Sequence, residues 1–187
     1  DDGFALLSFE HRADASWPFA FDCSQAFRLT SDALEVSLSA TNQSDHPAPF
    51  GLGWHPFFVK RPGSQVHFQS EGRWEMGVDK LPTHRRENHG LDVDCDTLDI
   101  DHCFDGWRGA LVLQDPRMTV RLDSSLDHLV VFTNAHCDFV AIEPVSHVNN
   151  AINLLQAGYT AESLGVQVLA PGASLSAEMT IQVEHSK

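Results

Sequence analysis

The sequence predicts an all-β fold, a large antiparallel β-sandwich, on three observations. Short apolar or alternating runs recur throughout the 187 residues, turn clusters separate them at close intervals, and no helical period is sustained over ten residues. Many strands at such spacing close most readily as two packed antiparallel sheets. One domain spanning residues 1–187 is the simplest organisation, because a chain of this size buries roughly 70% of its unfolded surface in a single core.

In order, the strand-like runs are "FALLSF", "AFRLT", "LEVSLSATN", "PFGLGWHPFFV", "QVHFQSE", "ALVLQD", "MTVRLD", "HLVVFTN", "FVAIEPV", "VQVLAPG" and "LSAEMTIQVEH". In the third, Leu34, Val36 and Leu38 alternate with Glu35, Ser37 and Ser39, so one row faces inward and the other outward. Met179, Ile181 and Val183 repeat the pattern near the end of the chain. Between the runs lie "NQSDHPAP", "KRPGSQ", "DGWRG", "QDPR" and "APGAS", whose Gly, Pro, Asn and Asp favour tight connections on steric grounds. "NAINLLQAG" is the one segment expected to make a short helical turn.

Composition narrows the function. A net charge of −14 disfavours nucleic acid and anionic membrane surfaces, both of which require a basic footprint, and fits a neutral small molecule better. No apolar run reaches the ~18 residues of a membrane-spanning helix, and no charged-then-apolar leader opens the chain. The four cysteines form no C-x-x-C pair, so reduced structural thiols and a cytoplasmic protein are expected. Eleven histidines occur without H-E-x-x-H or H-x-H, and the phosphate-loop, dinucleotide and serine-hydrolase signatures are missing. No metal and no cofactor are expected. "Asn42-Gln43-Ser44" matches a glycosylation acceptor, which matters only in a secreted eukaryotic protein.

Two residues stand out chemically. His55 sits in the apolar "GLGWHPFFV" and Glu143 in the apolar "FVAIEPV", each directly before a proline that holds the preceding residue extended and so fixes the direction of its side chain. Gly51 and Gly53 share a two-residue face with His55 and Phe57, which predicts open space beside the imidazole. A carboxylate among apolar neighbours is rarely buried unless paired or functional. Together an imidazole and a carboxylate make an acid and base pair. The same residues also admit a structural reading, a core histidine bonded to backbone and a glutamate paired with an arginine. A third candidate is "LDIDHCFDGW", where Asp99, Asp101 and Asp105 lie among Ile100, Phe104 and Trp107, the mixture of acceptors and apolar faces that polyol recognition needs. Trp54 and Phe57, beside His55, are the matching candidates for substrate-binding aromatics.

In order and spacing, "TNQSDHPAPFGLGWHPFF", "LDIDHCFDGW" and "VVFTNAHCDFVAIEPVSHVNNAIN" resemble the aldose 1-epimerase, or galactose mutarotase, family. The resemblance covers most of the chain, through an "APG" turn at Ala170 to Gly172 and a last strand, and matches the later part of a family member. It implies a galactose mutarotase-like supersandwich lacking upstream strands. It implies His55 as general acid on the sugar ring oxygen, Glu143 as general base on the anomeric hydroxyl and Asp101 as a holder of sugar hydroxyls, in an isomerase acting on a free aldohexose. Family members carry an arginine and a second histidine earlier in their chains; His11 and Arg12 do not match those motifs. Two alternatives remain on the same fold. A non-catalytic carbohydrate-binding module would not need His55 or Glu143. A hexose 6-phosphate epimerase would draw on Arg61, Arg85, Arg86 or Arg108 for the phosphate.

Overall fold

Sixteen strands and two short helices make up the structure, a computed structural model describing residues 3–185. In chain order the strands are β1 (Phe4–His11), β2 (Phe21–Leu29), β3 (Ala33–Asn42), β4 (Ala48–Phe50), β5 (Phe57–Val59), β6 (Gln65–Gln69), β7 (Gly72–Met76) and β8 (Pro82–Glu87). They continue with β9 (Leu91–Asp94), β10 (Ile100–Asp105), β11 (Arg108–Gln114), β12 (Met118–Ser124), β13 (His128–Thr133), β14 (Phe139–Val145), β15 (Gln167–Leu169) and β16 (Ser174–His185). Helices α1 (Ala151–Gln156) and α2 (Ala161–Leu164) fall between β14 and β15.

The strands form an eight-stranded sheet in the order β1-β2-β3-β16-β12-β11-β6-β9 and a six-stranded sheet in the order β5-β14-β13-β10-β7-β8, with β15 and β4 as a separate ribbon. Every pairing is antiparallel, as the sequence predicts. The core lies between the two large sheets. Val36, Met179, Leu111 and Leu122 meet Phe104, Leu129, Val131, Val140 and Ile142 there, and Phe68 packs edge-on against Phe104 with ring centroids 5.0 Å apart. Leu34, Val36 and Leu38 of β3 and Met179, Ile181 and Val183 of β16 all belong to this core. The two-residue period assigned their faces correctly.

A second apolar cluster sits on the far side of the six-stranded sheet. Trp74, Cys103 and Val130 of the sheet pack beneath Val148 and beneath Ala151, Leu154 and Leu164 of the helices. Thus α1 and α2 cover one end of that outer face and leave the other end open. The sequence foresaw one helical turn; α2 adds a second, with the Thr160 side chain accepting from the Ser163 N–H at its start.

One expectation is corrected here. "PFGLGWHPFFV" is not one strand: β4 pairs with β15, β5 pairs with β14, and the six residues between are irregular apart from a bridge at Gly53. Asn42 is fully buried, donating to the carbonyls of His46 and Leu169 and accepting from Ser44, so the glycosylation motif is a structural clamp. All four cysteines are free thiols. Among the described residues no helix is long and apolar enough to cross a membrane.

Candidate active site

His55 and Glu143 stand opposite each other although 88 positions separate them (143 − 55). The bridge Gly53↔Val145 and the ladder pair Phe57↔Ala141 share one antiparallel register, and that register sets His55 across from Glu143. The irregular segment is held to β14 at every second residue. Ser146 N–H donates to the Leu52 carbonyl at 2.8 Å, Trp54 N–H to the Pro144 carbonyl at 3.0 Å, and Ile142 N–H to the Pro56 carbonyl at 3.2 Å. Pro144 directs its carbonyl toward this segment, so its missing N–H faces away from the β13 ladder and breaks no bond in it.

With even-numbered residues turned to the core, His55 shares the open outer face with Glu143, and its Nε2 lies 3.0 Å from Glu143 Oε1. The two are differently exposed: 56% of the imidazole is open to solvent against 13% of the carboxylate. Burial pushes the Glu143 carboxyl above the ordinary glutamate value, His55 opposes the shift, and Asp101 adds to it through like-charge repulsion. A carboxylate made more basic by burial beside a solvent-facing imidazole is suited to exchanging protons with a small hydroxylic ligand.

Asp101 occupies β10 opposite Phe132 of β13, on the same outer face. Two strand spacings and a two-residue offset along the strands, roughly 12 Å together, separate its backbone from that of Glu143. Phe132 forms the floor between them. Phe139 lies 6.1 Å from Phe132, Phe57 meets Phe139 edge-on at 5.0 Å, and His55 stacks on Phe57 at 4.6 Å. The result is an aromatic run along one side of two separated carboxylates, the surface a sugar presents with one apolar face and a rim of hydroxyls requires. Phe132 and Phe139 were missed as site residues by the sequence reading. The signal was available, since positions 139, 141 and 143 share a face.

The other candidates lie elsewhere. Trp54 points into the core at 9% exposure, as the parity of its position demands once His55 and Phe57 face outward, and it offers the open face no surface. The space beside Gly51 and Gly53 is not vacant. A Cβ on Gly51 would run into the His147 imidazole, and one on Gly53 would fall 2.8 Å from Val145 Cγ1, so the glycines admit neighbouring side chains rather than a ligand. Asp105 is buried, accepting from Trp74 Nε1 at 2.7 Å and from Arg85 Nε and a terminal nitrogen at 2.8 and 2.7 Å. An apolar trough of about 710 Å³, lined in part by Phe21, Leu38, Phe50, Gly51, Leu52 and His147, lies beside the pair. Its lining carries no paired acid and base.

The aldose 1-epimerase family model matches residues 1–182. This chain belongs to the aldose 1-epimerase family. It is 29% identical to the uncharacterized protein YphB of Escherichia coli K12, over 98% of this chain and 66% of that protein. Its fold superposes with a TM-score of 0.85 on an E. coli K12 crystal structure, itself only provisionally assigned as an aldose 1-epimerase, at 27% identity over 100% of this chain and 67% of that one. The fold alone is shared with a galactose mutarotase-like protein of Clostridium acetobutylicum, at a TM-score of 0.84 and 18% identity over 98% of this chain and 63% of that one. The chain therefore spans about two thirds of the length of the proteins it matches.

Proposed function

We propose that the chain supplies the acid and base of an aldose 1-epimerase, which interconverts the α and β anomers of a free hexose. The observation that carries this reading is the 3.0 Å approach of His55 Nε2 to Glu143 Oε1 on an open, aromatic-lined sheet face. In anomer exchange the two reacting oxygens share one carbon, so acid and base must converge on neighbouring atoms. A glycosidase instead places two carboxyl groups roughly 5 to 9.5 Å apart across a bond to a leaving group.

Glu143 takes the proton of the C1 hydroxyl as the C1 carbonyl forms and the bond from C1 to the ring oxygen breaks. His55 donates a proton to that departing oxygen. Rotation about C1–C2 presents the other face of the aldehyde. Ring closure returns a proton to His55 while Glu143 gives its proton to the new C1 hydroxyl, so no proton is gained or lost. Asp101 accepts from hydroxyls at the far rim, and Phe57 offers an apolar face to the ring. The hexose 6-phosphate alternative finds less support, since Arg61 pairs with Asp115, Arg85 with Asp105 and Arg108 with Glu71, and Arg86 lies 3.9 Å from Glu75.

Polarimetry over a panel of aldoses tests the reading, and the absence of any mutarotation above the spontaneous rate refutes it. The pH profile supplies a second test. A base must be deprotonated to act, so kcat/KM is lost as pH falls through the Glu143 pKa. Because burial raises that pKa, the acid limb is expected above the ordinary glutamate value of 4.5. Asp101→Asn removes a like charge and is expected to move the acid limb to lower pH; a limb that stays in place detaches Asp101 from the site. Asp101→Ala is expected to raise KM more than it lowers kcat, because a residue that holds ground and transition states alike contributes uniform binding. Full kinetics over a substrate series check this, and an intact KM with abolished turnover contradicts it.

A further inference from the structure

Backbone hydrogen bonds are sparse around His55. A regular antiparallel ladder exchanges two N–H to carbonyl bonds at every second residue pair. Opposite β14 those pairs are Leu52 with Ser146, Trp54 with Pro144 and Pro56 with Ile142, and each keeps one backbone bond, donated by the N–H of Ser146, Trp54 and Ile142 respectively. At two of these pairs proline explains the missing bond, since neither Pro144 nor Pro56 has an N–H to give. The pair of Leu52 with Ser146 has another cause. The Ser146 carbonyl lies against Gly165 at the end of α2, where a Cβ would collide with it. The Leu52 N–H donates instead to the Ser146 hydroxyl, at 2.9 Å and out of contact with water.

The place of this exchange gives it weight. β4 ends at Phe50 and pairs with β15, so Leu52 is where the chain entering the site is first tied to β14. Gly51 and Gly53 flank it, and glycine leaves the backbone on either side its widest freedom. Both backbone polar groups of Leu52 end on one residue, because the Leu52 carbonyl accepts from the Ser146 N–H at 2.8 Å. The side chain of Leu52 is anchored in the core, and His55 follows three residues later.

The hydroxyl is itself directed. Its oxygen receives the Leu52 N–H, and its proton has the His147 Nδ1 at 3.0 Å. A proton on Nδ1 would leave the serine hydrogen without an acceptor in a buried position, so His147 carries its proton on Nε2. Burial, with His128 adding to it, holds the His147 pKa below the ordinary histidine value, which keeps Nδ1 an acceptor at neutral pH. Gly51 leaves the room that the His147 ring fills.

We propose that Ser146 is a positioning residue for the acid. Its hydroxyl, oriented by His147, replaces a ladder acceptor and fixes where the segment brings His55 against Glu143. The kinetic consequence rests on the acid and base reading of that pair; the geometric one does not.

Ser146→Ala tests both. Exchange of the Leu52 amide is expected to quicken by at least roughly 10-fold, since its N–H loses its acceptor. His55 holds the Glu143 pKa down, so a displaced imidazole is expected to move the Glu143 carboxyl titration, followed by carbon NMR, to higher pH. Turnover is expected to fall roughly 10-fold with KM changed less than about 2-fold, because a misplaced acid costs orientation and leaves sugar binding in place. Val120→Ala, a core truncation on β12, is the control, expected to lower the melting temperature and leave the Glu143 titration where it is. An unmoved Glu143 titration in folded Ser146→Ala overturns the proposal, whatever the loss of stability. If the alanine variant does not fold, His147→Ala decides in its place, since it spares the hydroxyl and removes the group that orients it; the same upward shift is expected, and its absence overturns the proposal. A parent chain without mutarotation ends the proposed function, while Leu52 exchange and the Glu143 titration still decide the role of Ser146.

Discussion

Glu143→Gln is expected to lower kcat for mutarotation by roughly 10² to 10⁴, with His55→Asn having a comparable effect, the usual worth of a positioned acid or base. Each replacement keeps approximate shape and hydrogen-bonding capacity but cannot carry the proton. Glutamine fits the site because the Glu143 side chain, 13% exposed, lies against Val130 of the neighbouring strand without an arginine partner that would be orphaned. Melting temperature and sugar affinity should therefore stay close to those of the parent chain. The double variant is expected to be little worse than the poorer single one, since two groups that act on one proton exchange are not additive. Stopped-flow polarimetry corrected for the spontaneous rate supplies kcat, and sugar titration by NMR supplies affinity. A folded, sugar-binding Glu143→Gln protein with near-normal turnover would end the acid and base assignment and favour the binding-module reading.

How far the sequence could reach depended on whether the controlling interaction was local. Alternation sufficed for β3 and β16, where one row is apolar and the other small or polar. It passed over β7 to β10: "PTHRRE" is the edge strand of its sheet and carries charges on both faces, and "GRWEM" beside it sets Arg73 and Glu75 on one face of a five-residue run. His55 and Glu143 were legible because a proline after each constrains its backbone locally. Their approach was legible only through family resemblance, since it rests on a register between segments far apart in sequence. Trp54 was assigned to the substrate although the two-residue period that turns His55 and Phe57 outward turns it inward. Asp101 and Asp105 have the same parity and lie on the same strand face. What separates them is the cover of α1 and α2 and the reach of Arg85, neither visible in "LDIDHCFDGW".

That separation yields a stability prediction of similar size to the catalytic one. Asp105→Ala is expected to cost about 3 kcal/mol, the lower end of the range for breaking a buried charge pair from one side. The carboxylate accepts from the indole of Trp74, which is 0% exposed, and grips Arg85 through two nitrogens. Those bonds push the Arg85 pKa above its ordinary value, and an arginine at its ordinary value is already charged at neutral pH, so the guanidinium stays charged without its partner. Alanine would leave the Trp74 N–H buried without an acceptor, a loss of about 1 to 3 kcal/mol by itself. Arg85 would lose its counterion but recover part of its hydration, since 37% of its side chain already meets solvent, and this keeps the total from the upper end of the range. Gly72 ties the backbone into the same arrangement: a Cβ there would fall 2.5 Å from the guanidinium carbon, so Arg85 lies over the strand only because that position has no side chain. For a chain of this size the loss corresponds to a melting-temperature drop of roughly 6 to 12 °C. Asp105→Asn should fall between, keeping an acceptor for Trp74 while giving up the charge. Below its melting temperature Asp105→Ala is expected to retain KM and kcat for the sugar, the reverse of Asp101→Ala, because this carboxylate is buried and committed to Trp74 and Arg85. Thermal denaturation followed by circular dichroism, with kinetics on the same preparations, distinguishes the two aspartates. An unchanged melting temperature with a raised KM would return Asp105 to the sugar-binding role and remove it from the buried cluster.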